Sequence, residues 1–227
     1  MTPRVRPCGE TALLVECAGL AEAVALAARV RDAADPVVLD VVPAARTVLL
    51  GCGDAADLPA LRRVAAAALA EPTVAEGESL LVTGREVTLD VRYDGPDLTE
   101  VAREAGLTPE ELARRHLAVP WVAAFGGFAP GFCYLVDERE LGETGSRGGV
   151  AGAADGLPTV PRLESPRTRV PAGSVALADR WCGVYPDASP GGWRLVGRTD
   201  AVLWDTGREP PALLEPGVRV RFREIKP

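Results

Sequence analysis

Four short runs decide how the chain folds: Val170-Pro-Ala-Gly-Ser-Val-Ala-Leu177, Trp193-Arg-Leu-Val196, Val202-Leu-Trp204 and Val218-Arg-Val-Arg-Phe222. Each is apolar or alternating, and glycine or proline interrupts the chain around them. Many short strands with frequent turn signals predict a closed or nearly closed β-barrel. Working back, Glu86-Val-Thr-Leu-Asp-Val-Arg-Tyr93 alternates as a half-buried strand does. Helices are expected over about 97–105 and 108–116. The second opens on Thr108-Pro-Glu-Glu111, with a capping threonine, a proline at the first helical position and an acid at the third. Residues 138–155, rich in glycine and alanine, read as a mobile surface loop.

The amino-terminal part has a different chemistry. No aromatic residue precedes Tyr93, and all four tryptophans lie beyond it. Thr11-Ala-Leu-Leu-Val-Glu16, Pro36–Val42 and Thr47–Leu50 read as strands. Residues 21–34 carry a helical stripe of Val24, Leu26, Ala27 and Val30. A further helix is expected from Asp57, as N-cap, to Leu69, with Pro59 in its first turn. This alternation resembles a ferredoxin-like α+β unit. The fold class is therefore α+β, with a first domain over 1–85 and a β-barrel domain over 86–227.

Composition excludes several functions. The formal charge is −7, without the basic footprint that nucleic acid requires. No apolar run is long enough to span a bilayer, and the amino terminus has no signal-peptide stretch, so a cytoplasmic protein is expected. Cys8, Cys17, Cys52, Cys133 and Cys182 are scattered and read as free thiols. Lys226 is the only lysine, and neither a G-x-x-x-x-G-K-[ST] loop nor a G-x-G-x-x-G fingerprint occurs. A single histidine, His116, makes a His-rich metal site impossible, and no metal site is expected. His116 either caps and packs its helix end or serves as a base toward Cys133 or Ser174.

The stretch richest in chemistry runs from Phe125 to Thr199. Gly126, Gly127, Gly131, Gly191 and Gly192 permit close approach of backbone to a ligand. Pro130, Pro161, Pro166, Pro171 and Pro190 stiffen the same loops. Arg162, Arg167 and Arg198 with Tyr134, Tyr185 and Trp193 would suit a pocket for a small acidic ligand, guanidinium on carboxylate and rings on the apolar part. On composition alone the same loops could simply close a barrel, with solvated arginines.

The segments GFAPGFCYL (127–135), VPRLESPR (160–167), VPAGSV (170–175), GVYP (183–186) and SPGGWRLVGRT (189–199), with the opening GETALLVE (9–16), resemble the family of B-type 5-oxoprolinase subunits over essentially the whole chain. That family also includes the Kip kinase-inhibitor protein and a protein long labelled allophanate hydrolase subunit 1. The resemblance implies a cyclophilin-like barrel after the ferredoxin-like domain. It further implies two partners, a homologous larger C-type barrel subunit and an A-type subunit. Together they would convert 5-oxo-L-proline, ATP and water to L-glutamate, ADP and phosphate. No cofactor is expected on this chain, ATP being used by the complex. Arg162 and Arg167 would hold the substrate carboxylate, with Ser174, Tyr185, Trp193 and Arg198 also in the binding set. Tyr134 and the amides near Gly191 and Gly192 would orient the lactam carbonyl, and His116 would carry a proton or position a group. The same family leaves two other expectations: a regulator docking on a sensor histidine kinase, and a carboxyltransferase or allophanate-type subunit. Three features depart from the family pattern: the long 138–155 loop, Leu163 where a basic residue is usual, and Trp181-Cys182 where a Gln-Thr pair is common.

Overall fold

In a computed structural model, which describes residues 4–71, 84–142 and 156–226, Gly9 at φ +69° turns β1 (Arg4–Pro7) back onto β2 (Ala12–Glu16). Only the second of these strands is expected from the sequence. Next come α1 (Leu20–Asp32), β3 (Asp40–Pro43), β4 (Thr47–Gly51) and α2 (Leu58–Ala70). The sheet order is β1-β2-β4-β3, antiparallel throughout. This is the ferredoxin-like arrangement, with β1 on the edge beside β2. The strand expected after α2 falls outside the described residues. Leu13 and Val15 of β2 and Val48 and Leu50 of β4 face Ala23, Leu26, Ala27 and Val30 of α1 and Leu61, Ala65 and Ala68 of α2. Alanines on both helices let them sit close to the sheet. Asp57 makes no capping hydrogen bond. Asp54 accepts from the Ala56 amide at 2.8 Å instead, capping a one-turn 3-10 helix that leads into α2.

The second compact unit holds residues 84–140 and 156–226. It begins with β5 (Glu86–Val91), α3 (Leu98–Glu104) and α4 (Pro109–Ala118), where the Thr108 hydroxyl accepts from the Glu111 amide as the capping pattern requires. β6 (Trp121–Gly126), β7 (Cys133–Asp137) and the short α5 (Arg139–Gly142) follow. The rest of the 138–155 loop, from residue 143, is outside the described residues. Then come β8 (Arg167–Val170), β9 (Ser174–Ala178), β10 (Trp181–Val184), β11 (Ser189–Gly191), β12 (Arg194–Arg198) and β13 (Arg219–Glu224).

Seven strands form one sheet in the order β12-β9-β10-β7-β6-β13-β5, and β8 pairs with β11 separately. The chain leaving β5 brings the two edges together. Arg92 and Arg198 exchange backbone hydrogen bonds of 2.9 Å, and the Asp97 amide reaches the Leu195 carbonyl at 3.0 Å. Glycine permits this seam: a Cβ on Gly95 would lie 2.3 Å from the Leu195 carbonyl oxygen. The result is a nearly closed barrel whose inner positions alternate along each strand. Trp121 and Ala123, Cys133 and Leu135, Val175 and Leu177, and Cys182 and Val184 all enter one core, joined by Leu98, Val101 and Leu112 from the helices. Two local expectations change. Gly173 at φ +76° breaks the run 170–177 into β8, a turn and β9. Val202–Trp204 forms no strand; Trp204 makes a single bridge to Ala212.

Candidate functional site

With odd positions of β7 turned inward, Tyr134 stands on the outer wall of the barrel. In β10 the same alternation sends Cys182 and Val184 into the core and Trp181 outward. Gly183 lies between them with no side chain, and this bareness matters. A Cβ there would be 2.6 Å from Phe132 and 3.0 Å from Trp193, so both rings rest on exposed strand backbone. Gly191 serves Tyr185 in the same way, since its Cβ would come within 2.3 Å of the phenol oxygen.

The rings interlock edge to face. Phe132 lies 5.2–5.5 Å from Tyr134, Tyr185 and Trp193, and Tyr134 lies 5.8 Å from Trp181. Phe128, at φ +68°, projects from the Gly126–Gly131 turn onto Phe132 and Tyr185 and is 58% exposed. These aromatic groups, with Arg162, Ala178, Asp179 and Gly191, line a cavity of about 290 Å³. That volume suits a small ligand. Burial raises the pKa of the Tyr185 phenol, which therefore stays a neutral hydroxyl able to donate.

The structure thus gathers Tyr134, Arg162, Tyr185, Gly191 and Trp193 at one cavity. Gly192 is beside it: Arg162 Nη2 is 3.7 Å from where its Cβ would stand, and its carbonyl accepts from the Leu163 amide at 2.8 Å. Arg162 has no ion pair among the described residues. Four expected site residues lie elsewhere. Arg167 donates to the Asp97 carboxylate at 2.6 Å and toward the Trp193 carbonyl at 3.5 Å, so its charge is already matched. Ser174 donates to the Pro171 carbonyl within the turn before β9. Arg198 is on the barrel seam and pairs with Asp94. His116 is 1% exposed, between the Trp121 and Phe222 rings.

The environment of His116 also removes the nucleophile–base pairings. Its Nδ1 is 2.7 Å from the Tyr93 hydroxyl and its Nε2 is 3.3 Å from Cys182 Sγ. One assignment satisfies all three groups: the phenol donates to Nδ1 and Nε2–H donates to sulfur. Burial pushes the imidazole down to about 3, so it is neutral and cannot stabilise a thiolate. Burial raises the Cys182 thiol as well. Cys133, pushed up to about 12, donates to the Leu214 carbonyl.

Sequence reasoning gave no role to Phe128, Phe132 or Asp179, and treated Trp181 only as a departure. A signal for Asp179 was available. The apolar runs 175–178 and 181–184 are separated by two residues, which is hairpin spacing, and Asp tolerates the left-handed conformation such turns need. Of the two departures at 181 and 182, only Trp181 reaches the cavity.

A ferredoxin-like unit followed by a nearly closed barrel is a carboxyltransferase-type fold. The Kluyveromyces lactis urea carboxylase shares it, with a TM-score of 0.68 at 15% identity over 99% of this chain and 22% of that one. The chain belongs to the family of the carboxyltransferase domain, subdomain C and D, matching it over residues 3–214. It is similar to the B-type 5-oxoprolinase subunit of Escherichia coli O157:H7, with 40% identity over 150 residues. That match spans 65% of this chain and 62% of the relative. The crystal structure of TTHA0988 superposes with a TM-score of 0.70 at 32% identity, over 99% of this chain and 41% of that protein. Among the described residues no helix is long and apolar enough to cross a membrane.

Proposed function

We propose that this chain is the B-type subunit of an ATP-dependent 5-oxoprolinase and that its wall cavity holds the lactam acid. The observation that carries the reading is Arg162, a guanidinium without a carboxylate partner among the described residues, at an aromatic cavity large enough for a small ring acid. The similarity to a B-type 5-oxoprolinase subunit supports the same ligand. Arg162 would hold the ring carboxylate, and the Tyr134, Trp181 and Trp193 rings would cover the methylene edge. The neutral Tyr185 hydroxyl and the backbone at Gly191 and Gly192 would face the lactam carbonyl, whose oxygen gains charge as the amide is attacked.

In this proposal ATP is used by an A-type subunit, and a larger C-type barrel completes the complex in the cytoplasm. Neutral His116 and the protonated Cys133 and Cys182 are not bases, which fits chemistry shared with partners. Arg167 takes a positioning role: through Asp97 and the Trp193 carbonyl it fixes the wall on which the ligand lies. The test is reconstitution. The chain co-expressed with A- and C-type subunits should co-purify with them and release L-glutamate from 5-oxo-L-proline only when ATP is present. Equal glutamate release by a complex lacking this chain would overturn the proposal.

A further inference from the structure

Two charged residues line the cavity, Arg162 and Asp179. One short ladder presents both. The Val160 amide donates to the Asp179 carbonyl at 2.9 Å, and Arg162 follows Val160 by two residues. Both residues are exposed and form no ion pair with each other, and the Asp179 carboxylate has no hydrogen-bond partner among the described residues. Opposite charges that share an aromatic cavity without touching leave room for a guest that meets both. A carboxylate on the guest satisfies Arg162. What satisfies Asp179 is a donor, and in a small ring acid that donor is a ring N–H.

Asp179 is at φ +55°, in the two-residue turn between β9 and β10. Asp and Gly both tolerate that conformation, so the carboxylate can be removed by Asp179→Gly without straining the turn.

We infer that Asp179 is a specificity-determining residue that reads the ligand nitrogen, so that the cavity selects small cyclic acids bearing a ring N–H over rings with oxygen in that place. The inference rests on the proposed pocket and deepens it. An ether or ester oxygen would turn a lone pair toward the Asp179 carboxylate and leave it without a donor, and such mismatches discriminate more strongly than a missing methylene.

The chain is titrated with 5-oxo-L-proline and with its lactone counterpart, 5-oxotetrahydrofuran-2-carboxylate, by calorimetry or tryptophan fluorescence. The wild type should prefer the lactam about tenfold. Asp179→Gly, as stable in urea as the wild type, should bind both rings equally, and Asp179→Asn should keep part of the preference through its amide oxygen. Equal affinities in the wild type, or an undiminished preference in Asp179→Gly, would overturn the role of Asp179 while leaving the cavity as a binding site. Failure of the wild type to bind either ring would overturn this inference and the pocket assignment together.

Discussion

Arg167 reaches across 70 positions of sequence to Asp97, donating at 2.6 Å to a carboxylate whose side chain is 6% exposed. Asp97 also accepts the Leu195 amide at 2.6 Å, so one buried carboxylate ties the start of α3 to β12 and to the strand carrying Arg167. Removing the guanidinium leaves a buried charge half-satisfied, which costs several kcal/mol in enclosed sites. Because Arg167 is itself 29% exposed, Arg167→Ala is expected to lose less, about 2 kcal/mol, in urea unfolding. Any fall in turnover would accompany that loss of stability and a shift of Trp193. An unchanged unfolding midpoint would show that Asp97 does not depend on this partner.

Arg162 should behave in the opposite way. It is exposed, lines the cavity and has no protein partner among the described residues, so Arg162→Ala should change stability by less than about 0.5 kcal/mol. In the reconstituted complex the same substitution should raise the KM for oxoproline about tenfold or more, the loss expected for a charge-assisted pair. Arg162→Lys should fall between, since an ammonium keeps the charge without the planar fork. The comparison of the two arginines, one measured by unfolding and one by KM, separates positioning from binding.

How far the sequence reaches is clear from these two residues. Both arginines follow prolines or precede β-runs in the same glycine- and proline-rich stretch, and nothing local distinguishes them. Their partners do: Asp97 is distant in sequence and becomes a neighbour only when the chain after β5 pairs with β12. Local features were legible because their causes are local. Thr108 and Pro109 start α4, alternation marks β5 and β13, and glycines mark the turns of the barrel. The face that each barrel residue occupies was harder to read. Tyr134 and Trp181 point away from the core because Cys133, Leu135, Cys182 and Val184 fill it, and short runs without polar residues do not show which alternate set goes inside. His116 illustrates the same difficulty, since a lone histidine at a helix end gives no sign that Tyr93 and Cys182 enclose it.

His116 leads to a pH prediction. Its folded pKa is pushed down to about 3 by burial, below an ordinary value of 6.5. The unfolded chain therefore binds the proton first as pH falls. The stability contributed by neutral, buried His116 is complete above about pH 6.5 and is lost progressively as pH drops toward 3, by up to about 1.4 kcal/mol per pH unit. Glu111, held down to about 2 by Arg114 and Arg115, keeps its stabilising contribution down to its ordinary value of 4.5 and loses it only below that. Between pH 6.5 and 4.5 the slope should thus come largely from His116. Urea midpoints across that range should fall in the wild type and flatten in His116→Gln, which lacks the titrating group. An equal slope in both proteins would show that the imidazole is not the group responsible.

Trp181 sets the size of the cavity. Its ring meets Phe125 at 5.5 Å and Tyr134 at 5.8 Å, and the Arg180 guanidinium stands 4.9 Å above it. Trp181→Ala should cost about 3 kcal/mol in stability, the usual range for deleting a largely buried indole. Trp181→Gln should cost less because the amide fills part of the space. Both variants should widen the cavity without removing the Arg162 charge. The expected result is a change of preference rather than a loss of binding: the six-membered lactam acid 6-oxopiperidine-2-carboxylate should gain relative to 5-oxo-L-proline in each variant. Parallel titrations of the two lactams decide it. If the ratio of their affinities stays at the wild-type value while stability falls, Trp181 braces the wall but does not bound the ligand.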